Sequence, residues 1–193
     1  RDVGDPVKSS MVYSDQDADE LVLLQIDREN RRPEQLVDVV RRIAEHCFVP
    51  FTVGGGIQCI EDAAPLFEAG ADKVLVNSEA FRHPQVISAI AERYGRQAVV
   101  VGIDVRTAEG DYALHSNCGR QREAVTLEEH IATVVAAGAG ELMIQSIERD
   151  GVMQGYDLPL LMRVIACSPV PVIVAAGAGH FVHLKEAFDS GAD

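Results

Sequence analysis

The sequence predicts an eight-stranded β/α barrel, the (βα)8 or TIM-barrel fold, built from two half-barrel repeats and lacking its first and last strands. Three observations predict it. Short β-branched runs alternate with longer stretches whose apolar residues recur at helical spacing. The short runs are apolar throughout, as in a parallel sheet covered on both faces. And the chain repeats itself at an offset of 121 residues, as from Pro50 to Pro171.

The elements follow in order. ELVLLQI (20–26) reads as a buried strand, and PEQLVDVVRRIAEHC (33–47) as a helix with Pro33 in its first turn. VPFTV (49–53) is a strand that runs into Gly54-Gly55-Gly56. IEDAAPLFEAG (60–70) is a helix that Gly70 closes in a left-handed cap. KVLVN (73–77) is a strand, PQVISAIAERYG (84–95) a helix and QAVVVGID (97–104) a strand. A hairpin-like insert, TAEGDYALHSNCGR (107–120), interrupts the rhythm. TLEEHIATVVAAGAG (126–140) opens with Thr126 and Glu129 at capping-box spacing. ELMIQSI (141–147), LPLLMRVIAC (158–167), VPVIV (170–174) and FVHLKEAFDSG (181–191) continue the alternation. No linker divides the chain, so residues 1–193 are expected to form a single domain.

The repeat selects a barrel over an open doubly wound sheet. FVPFTVGGGI…LFEAGAD (48–72) aligns without a gap on PVPVIVAAGA…AFDSGAD (169–193), and ELVLLQIDR (20–28) on ELMIQSIER (141–149). Two such halves close eight parallel strands into a ring without an edge. Six strands are read from these residues. The second copy stops before the counterpart of KVLVN, and the first begins after the counterpart of QAVVVGID. These 193 residues alone are therefore expected to be inactive and poorly stable.

Composition narrows the function. The formal net charge of −13 repels a phosphate backbone, so no nucleic-acid partner is expected. No apolar run reaches membrane-span length, and no membrane partner is expected. Cys47, Cys59, Cys118 and Cys167 show neither C-x-x-C nor zinc-ligand spacing, which suits reduced thiols in a cytoplasmic protein. No metal and no cofactor are expected.

Barrel sites lie at the C-terminal ends of the strands. Gly55 and Gly56 in one half, and Gly177 and Gly179 in the other, mark two glycine-rich turns at matching places. Such turns let backbone N–H groups approach a phosphate. The rival reading is a pair of tight turns with no ligand. Asn77 and Ser78 add side-chain donors at one end, and Asp150 with Gly151 lies at the mouth of the other half. A ligand with a phosphate at each end would place its reacting centre between them. Asp104 ends a wholly apolar strand, where desolvation suits a carboxylate to move protons; its alternatives are a helix cap or a partner for Arg106. At the other face, Glu20, Lys73 and Glu141 begin strands, and Lys73 between two glutamates is a candidate charged ring. His46, His83 and His130 fall on or beside helices and are expected to be solvated. His180 and His183 flank the second glycine turn.

Taken together, PFTVGGGI, AGADKVLVN, QAVVVGIDVR, GAGELMIQSIERDG, GYD and GAG before the last helix resemble the cyclase subunit of imidazole glycerol phosphate synthase, of histidine biosynthesis. The resemblance covers essentially the whole chain. It implies a lyase that takes ammonia from a glutaminase subunit and a bis-phosphate ribulosyl-carboxamide nucleotide. The products would be imidazole glycerol phosphate and aminoimidazole carboxamide ribotide. It places one aspartate of the acid/base pair at Asp104, and the phosphate contacts at Gly56, Asn77 and Ser78 and at Asp150, Gly151 and Gly177. The ammonia gate falls at Glu20, Lys73 and Glu141, and Asp72 falls where the family meets the glutaminase. The departures cluster near the mouth: Gln25, Arg28, Leu75, Gln145, Ser146, Ile147, Glu148, Ala175 and Ala176 stand in changed motifs. They keep two alternatives open: a paralogue that builds an acetamidino group on a bacterial surface sugar, and a non-catalytic partner that activates a glutaminase.

Overall fold

A computed structural model describes residues 4–26 and 33–193, apart from the side chain of Pro33. The chain divides into two compact units, Arg1–Val76 and Asn77–Asp193.

The first unit runs α1 (Pro6–Asp15), β1 (Leu21–Leu24), α2 (Pro33–Ala44), β2 (Phe51–Gly54), α3 (Ile60–Glu68) and β3 (Lys73–Val76). Its sheet is parallel, with β2 between β1 and β3; Leu21 pairs with Phe51 and Val53 with Val74. The expected helix starts hold: Pro33 opens α2, where its missing N–H costs nothing. Val40 and Ile43, on the apolar face of α2, are fully buried, as are Val53 on β2 and Ala63 on α3. Burial of each larger aliphatic side chain contributes roughly 1.5–3 kcal/mol. Gly70 follows α3 at φ 110, and a Cβ there would lie 2.5 Å from that of Ala44. The glycine thus ends one helix and lets it approach α2. Helix α1 is an addition to the sequence reading. Asp5 caps it by accepting the Val7 N–H at 2.9 Å, and Pro6 stands in its first turn.

The second unit runs α4 (Ser78–Arg82), α5 (Gln85–Tyr94), β4 (Val99–Ala108), β5 (Asp111–Ser116), β6 (Gln121–Arg122), α6 (Leu127–Ala137), β7 (Glu141–Ser146), α7 (Leu158–Cys167), β8 (Val172–Ala175) and α8 (Phe181–Asp189). Here β4, β7 and β8 are parallel neighbours, and β5 and β6 extend the sheet antiparallel from the other side of β4. Val99 to Val101, Ile103 and Val105 are all buried, so β4 is covered on both faces. The predicted insert is a true hairpin. Glu109 and Gly110 form its two-residue turn at φ 54 and 85, the left-handed pair that matches the twist of the strands. Thr126 and Glu129 form the expected capping box on α6.

Each unit alternates parallel strands with helices, three parallel strands in each among the described residues, and the fold is of the (βα)8 class.

One expectation is corrected. His130 is not solvated: it is 2% exposed and stacks on Phe81 with ring centroids 3.9 Å apart. It falls on the buried stripe of α6 with Leu127, Ile131 and Val134.

Candidate functional site

In the first unit the expected residues stand at the two ends of the sheet. At the strand starts, Lys73 Nζ lies 3.2 Å from both carboxylate oxygens of Glu20. The Lys73 side chain is only 14% exposed, so this pair is partly desolvated and stronger than a surface pair. At the strand ends, β2 passes into Gly55 and Gly56 at φ 115 and 81. A Cβ on Gly55 would meet the Gln25 carbonyl oxygen at 2.4 Å. Close strand packing alone therefore requires glycine at this position. Asp27 and Arg28, beyond β1, lie outside the described residues.

The second unit holds the remaining candidates. Asn77 precedes α4, and its buried Oδ1 has no hydrogen-bond partner among the described residues. A buried amide oxygen costs free energy unless a donor meets it. Its other orientation would present a donor, the group an anion needs. Ser78 Oγ accepts the Asn117 N–H at 3.0 Å and ties α4 to the loop between β5 and β6. Asp104 lies half-buried near the middle of β4, between His115 of β5 and Gln145 of β7. The strand continues to Ala108, past the predicted end, because the hairpin prolongs it. Thr107 N–H reaches the Glu148 carboxylate at 3.3 Å, joining β4 to the turn after β7. Glu141 begins β7 as expected.

Asp150 and Gly151 lie in the loop after β7, with Gly151 at φ 72. That loop packs against the turn after β8. Gly155 N–H donates to the Gly177 carbonyl at 2.8 Å, and a Cβ on Gly177 would meet the Gly155 carbonyl oxygen at 2.3 Å. A Cβ on Gly179 would meet the Met153 carbonyl oxygen at 2.4 Å. The segments carrying Asp150, Gly151, Gly177 and Gly179 are thus brought together. The Gly179 N–H is already engaged by His183 Nδ1 at 3.1 Å. His180 caps α8 through Nδ1, which accepts the Val182 N–H at 3.3 Å.

A cluster that the sequence reading missed holds the hairpin. Tyr112 Oη donates to Asp157 Oδ1 at 2.9 Å, and the same oxygen caps α7 by accepting the Leu160 N–H. Arg163 pairs with Asp111 and, at 2.7 Å, with Glu128. Burial first, then the hydrogen bond to Asp157, pushes the Tyr112 hydroxyl up to about 12. The Arg163 guanidinium holds the Glu128 carboxyl below its usual range. A groove of about 600 Å³ lies beside this cluster, lined by Tyr112, Arg122, Glu123, Thr126 and Arg163 among others. None of the residues expected at the mouth lines it. Its signal in the sequence was the Glu109-Gly110 turn, which fixes the hairpin register.

Among the described residues, no group of three or more His, Cys, Asp or Glu is placed to hold a metal ion, and no helix is long and apolar enough to cross a membrane.

The family model described as "Histidine biosynthesis protein" matches residues 1–193. The imidazole glycerol phosphate synthase subunit HisF of Exiguobacterium sibiricum is 43% identical over 193 residues, covering 100% of this chain and 78% of that protein. The same subunit of Streptomyces coelicolor is 43% identical over 194 residues, covering 100% of this chain and 77% of its own. That of Streptococcus gordonii is 41% identical over 192 residues, covering 99% and 76%.

Proposed function

This chain belongs to the histidine biosynthesis family, among the HisF subunits of imidazole glycerol phosphate synthase, and on that premise we propose that it performs the cyclase reaction with glutamine-derived ammonia. Its substrate is a ribulosyl-carboxamide nucleotide with two phosphates, its products imidazole glycerol phosphate and aminoimidazole carboxamide ribotide, and its partner a glutaminase subunit. The observation that carries this reading is Asp104, a carboxylate half-buried on β4 between the buried side chains of Ile103 and Val105. Joining nitrogen to carbon and releasing a carboxamide both require protons to move at neutral pH. A partly desolvated carboxylate suits that work.

The other residues take supporting roles. Gly55, Gly56, Asn77 and Ser78 receive one phosphate, and the segments of Asp150, Gly151, Gly177 and Gly179 receive the other. Backbone N–H groups at positive φ suit this in a chain of net charge −13, since they add local positive field without cationic side chains. The buried Asn77 amide supports the first phosphate position. Glu20, Lys73 and Glu141 form the gate through which ammonia enters, and Asp72 faces the glutaminase.

Asp104→Asn tests the reading. Measured on the full-length protein with its glutaminase subunit, turnover of the bis-phosphate nucleotide with ammonium salt should fall about 10²-fold or more, the scale of lost general acid–base help. Unchanged turnover would remove Asp104 from the mechanism.

A second reading rests on Gln145, Glu148, Ala175 and Ala176, which depart from the family pattern around Asp104 and the second glycine turn. Under it, the same ammonia chemistry forms an acetamidino group on a surface sugar. A further alternative leaves the chain as a glutaminase activator without chemistry of its own. Direct titration separates the three: the nucleotide binds under the first, a sugar under the second, neither under the third.

A further inference from the structure

The loop that leads into β2 has a counterpart before β8, and the two are built differently. Across the offset of 121 residues, Cys47-Phe48-Val49-Pro50 stands against Ser168-Pro169-Val170-Pro171. The second loop closes on itself: Ser168 Oγ donates to the Val170 carbonyl at 2.7 Å and accepts the Val170 N–H at 3.2 Å. Proline, with its fixed φ, fills the exposed position between them. In the first loop Cys47 is buried, and Phe48 is 89% exposed, the most exposed large apolar side chain among the described residues. The fold therefore places no demand for an aromatic ring at this position.

Backbone pairing fixes which end of the sheet the ring occupies. Leu21 N–H donates to the Pro50 carbonyl at 2.9 Å, and Phe51 and Asp72 exchange two hydrogen bonds of 2.9 Å. Pro50 and Phe51 thus lie between the starts of β1 and β3, where Lys73 is paired with Glu20. Two residues of chain separate Phe48 from Pro50, a reach of at most about 7 Å. Exposed Phe48, half-buried Val49 and exposed Pro50 form an apolar tip at that end, which also carries the exposed residues Glu20, Glu45 and Asp72. A lone apolar side chain at a surface is ordinary. An aromatic ring with polar side chains about it is the composition of an interface core and its rim, and a few such residues supply most of the binding energy.

We propose that Phe48 is an anchor for the glutaminase subunit, its ring entering an apolar pocket of that subunit. The occupant follows from position: ammonia must cross to the Glu20–Lys73 end without loss to water, and a buried ring beside that end excludes water. This rests on the reading of a glutaminase as the partner and of Glu20 and Lys73 as the gate.

Phe48→Ala, Phe48→Leu and Phe48→Asp test it in the full-length protein. Three readouts are needed. They are the Kd for the purified glutaminase subunit by calorimetry, turnover of the bis-phosphate nucleotide with ammonium chloride alone, and turnover with glutamine as the glutaminase is titrated in. Phe48→Ala should raise Kd about thirtyfold, the scale of a hot-spot side chain. Phe48→Asp should raise it at least as far, whereas Phe48→Leu, still apolar, should keep most of the affinity. The glutaminase concentration that gives half-maximal glutamine-dependent turnover should rise by the same factors. The plateau of that titration and the ammonium-dependent turnover should stay as in the unmodified protein. An unchanged Kd in Phe48→Ala and Phe48→Asp overturns the proposal, as does an equal loss of ammonium-dependent turnover, which would assign Phe48 to the fold. Should Phe48→Asp not fold, the alanine and leucine variants decide. If the unmodified protein binds no glutaminase, the partner reading falls and the anchor with it; if it binds and Phe48→Ala binds equally well, the anchor alone falls.

Discussion

Residues 48–72 and 169–193 build the same object twice from different side chains. In the first, Phe51 N–H donates to the Asp72 carboxylate at 2.9 Å while Asp72 N–H returns to the Phe51 carbonyl. In the second, Val172 and Asp193 make the same exchange at 3.0 and 3.1 Å. Strand register matches as well, Leu21 on Phe51 and Leu142 on Val172. So does the glycine contact after each helix, Gly70 against Ala44 and Gly191 against Ile165. The correspondence reaches further back than the aligned sequences do. Asp5 and Thr126 cap α1 and α6, and Asp17 at φ 58 stands where Gly138 stands at φ 118. Yet Gly55 at φ 115 faces Ala176 at φ 71 across the repeat. The halves conserve backbone geometry even where one of them lacks the residue that makes that geometry cheap. What differs is how far each turn departs from the region an L-residue tolerates, and what backbone lies behind it.

The largest expected effect follows from that distinction. Gly55→Ala should destabilise by at least about 3 kcal/mol, and Gly177→Ala by a similar amount. Each combines the positive-φ penalty of an L-residue with a Cβ driven into a neighbouring carbonyl. Those carbonyls belong to Gln25 at 2.4 Å and Gly155 at 2.3 Å. Denaturant unfolding at neutral pH measures both. If Gly55→Ala is tolerated because Ala176 is, then φ alone governs these turns and the close backbone behind Gly55 is irrelevant.

His130 separates the halves by chemistry rather than geometry. Its counterpart across the repeat is Ser9, on α1, whereas His130 is buried and its Nε2 has no hydrogen-bond partner among the described residues. Burial pushes its pKa down to about 4 from an ordinary 6.5. The unfolded chain thus binds the proton more readily than the folded one between those values. Stability from the neutral ring is complete above about pH 6.5 and is lost as pH falls toward 4. At pH 5 the loss should be about 2 kcal/mol relative to pH 7.5. His130→Phe keeps the stack on Phe81 and should remove that part of the acid sensitivity, as paired denaturation curves at the two pH values would show. An unchanged difference would mean that other groups set it.

The fold was legible because its main signals are periodic. Alternation gives the strands, helical spacing gives α2, α3 and α5 to α8, and an offset of 121 residues gives the duplication. Helix α1 escaped because it buries only Val7 and so carries no apolar stripe, although Asp5-Pro6 was a start signal. His130 was misread by residue type, while its spacing from Leu127, Ile131 and Val134 already placed it inside. Asp104 was legible from the apolar run before it. His115 was not, because its place opposite Asp104 depends on the register that the Glu109-Gly110 turn sets. The Arg163 cluster joins three segments far apart in sequence, and no local pattern announces such a meeting.

The smallest effects sharpen the comparison most, because they ask what the exceptions cost. Ala176 holds an L-residue at φ 71 where its counterpart is glycine, and Asp17 does so at φ 58. Ala in the left-handed region costs about 1–2 kcal/mol, and Asp somewhat less because its short polar side chain bonds locally. Replacement by glycine relieves that strain but adds entropy to the unfolded chain, which returns about 0.4–1 kcal/mol of it. The net gain should be a few tenths of a kcal/mol up to about 1 for Ala176→Gly, and close to zero for Asp17→Gly. Thermal melts of the two single variants and the pair give the ordering. The pair should add within about 0.3–0.5 kcal/mol if each change acts only on its own backbone strain. A gain larger at position 17 than at 176 would mean that the second glycine turn is not strained by its alanine. The difference between the two turns would then lie in the contacts behind them alone.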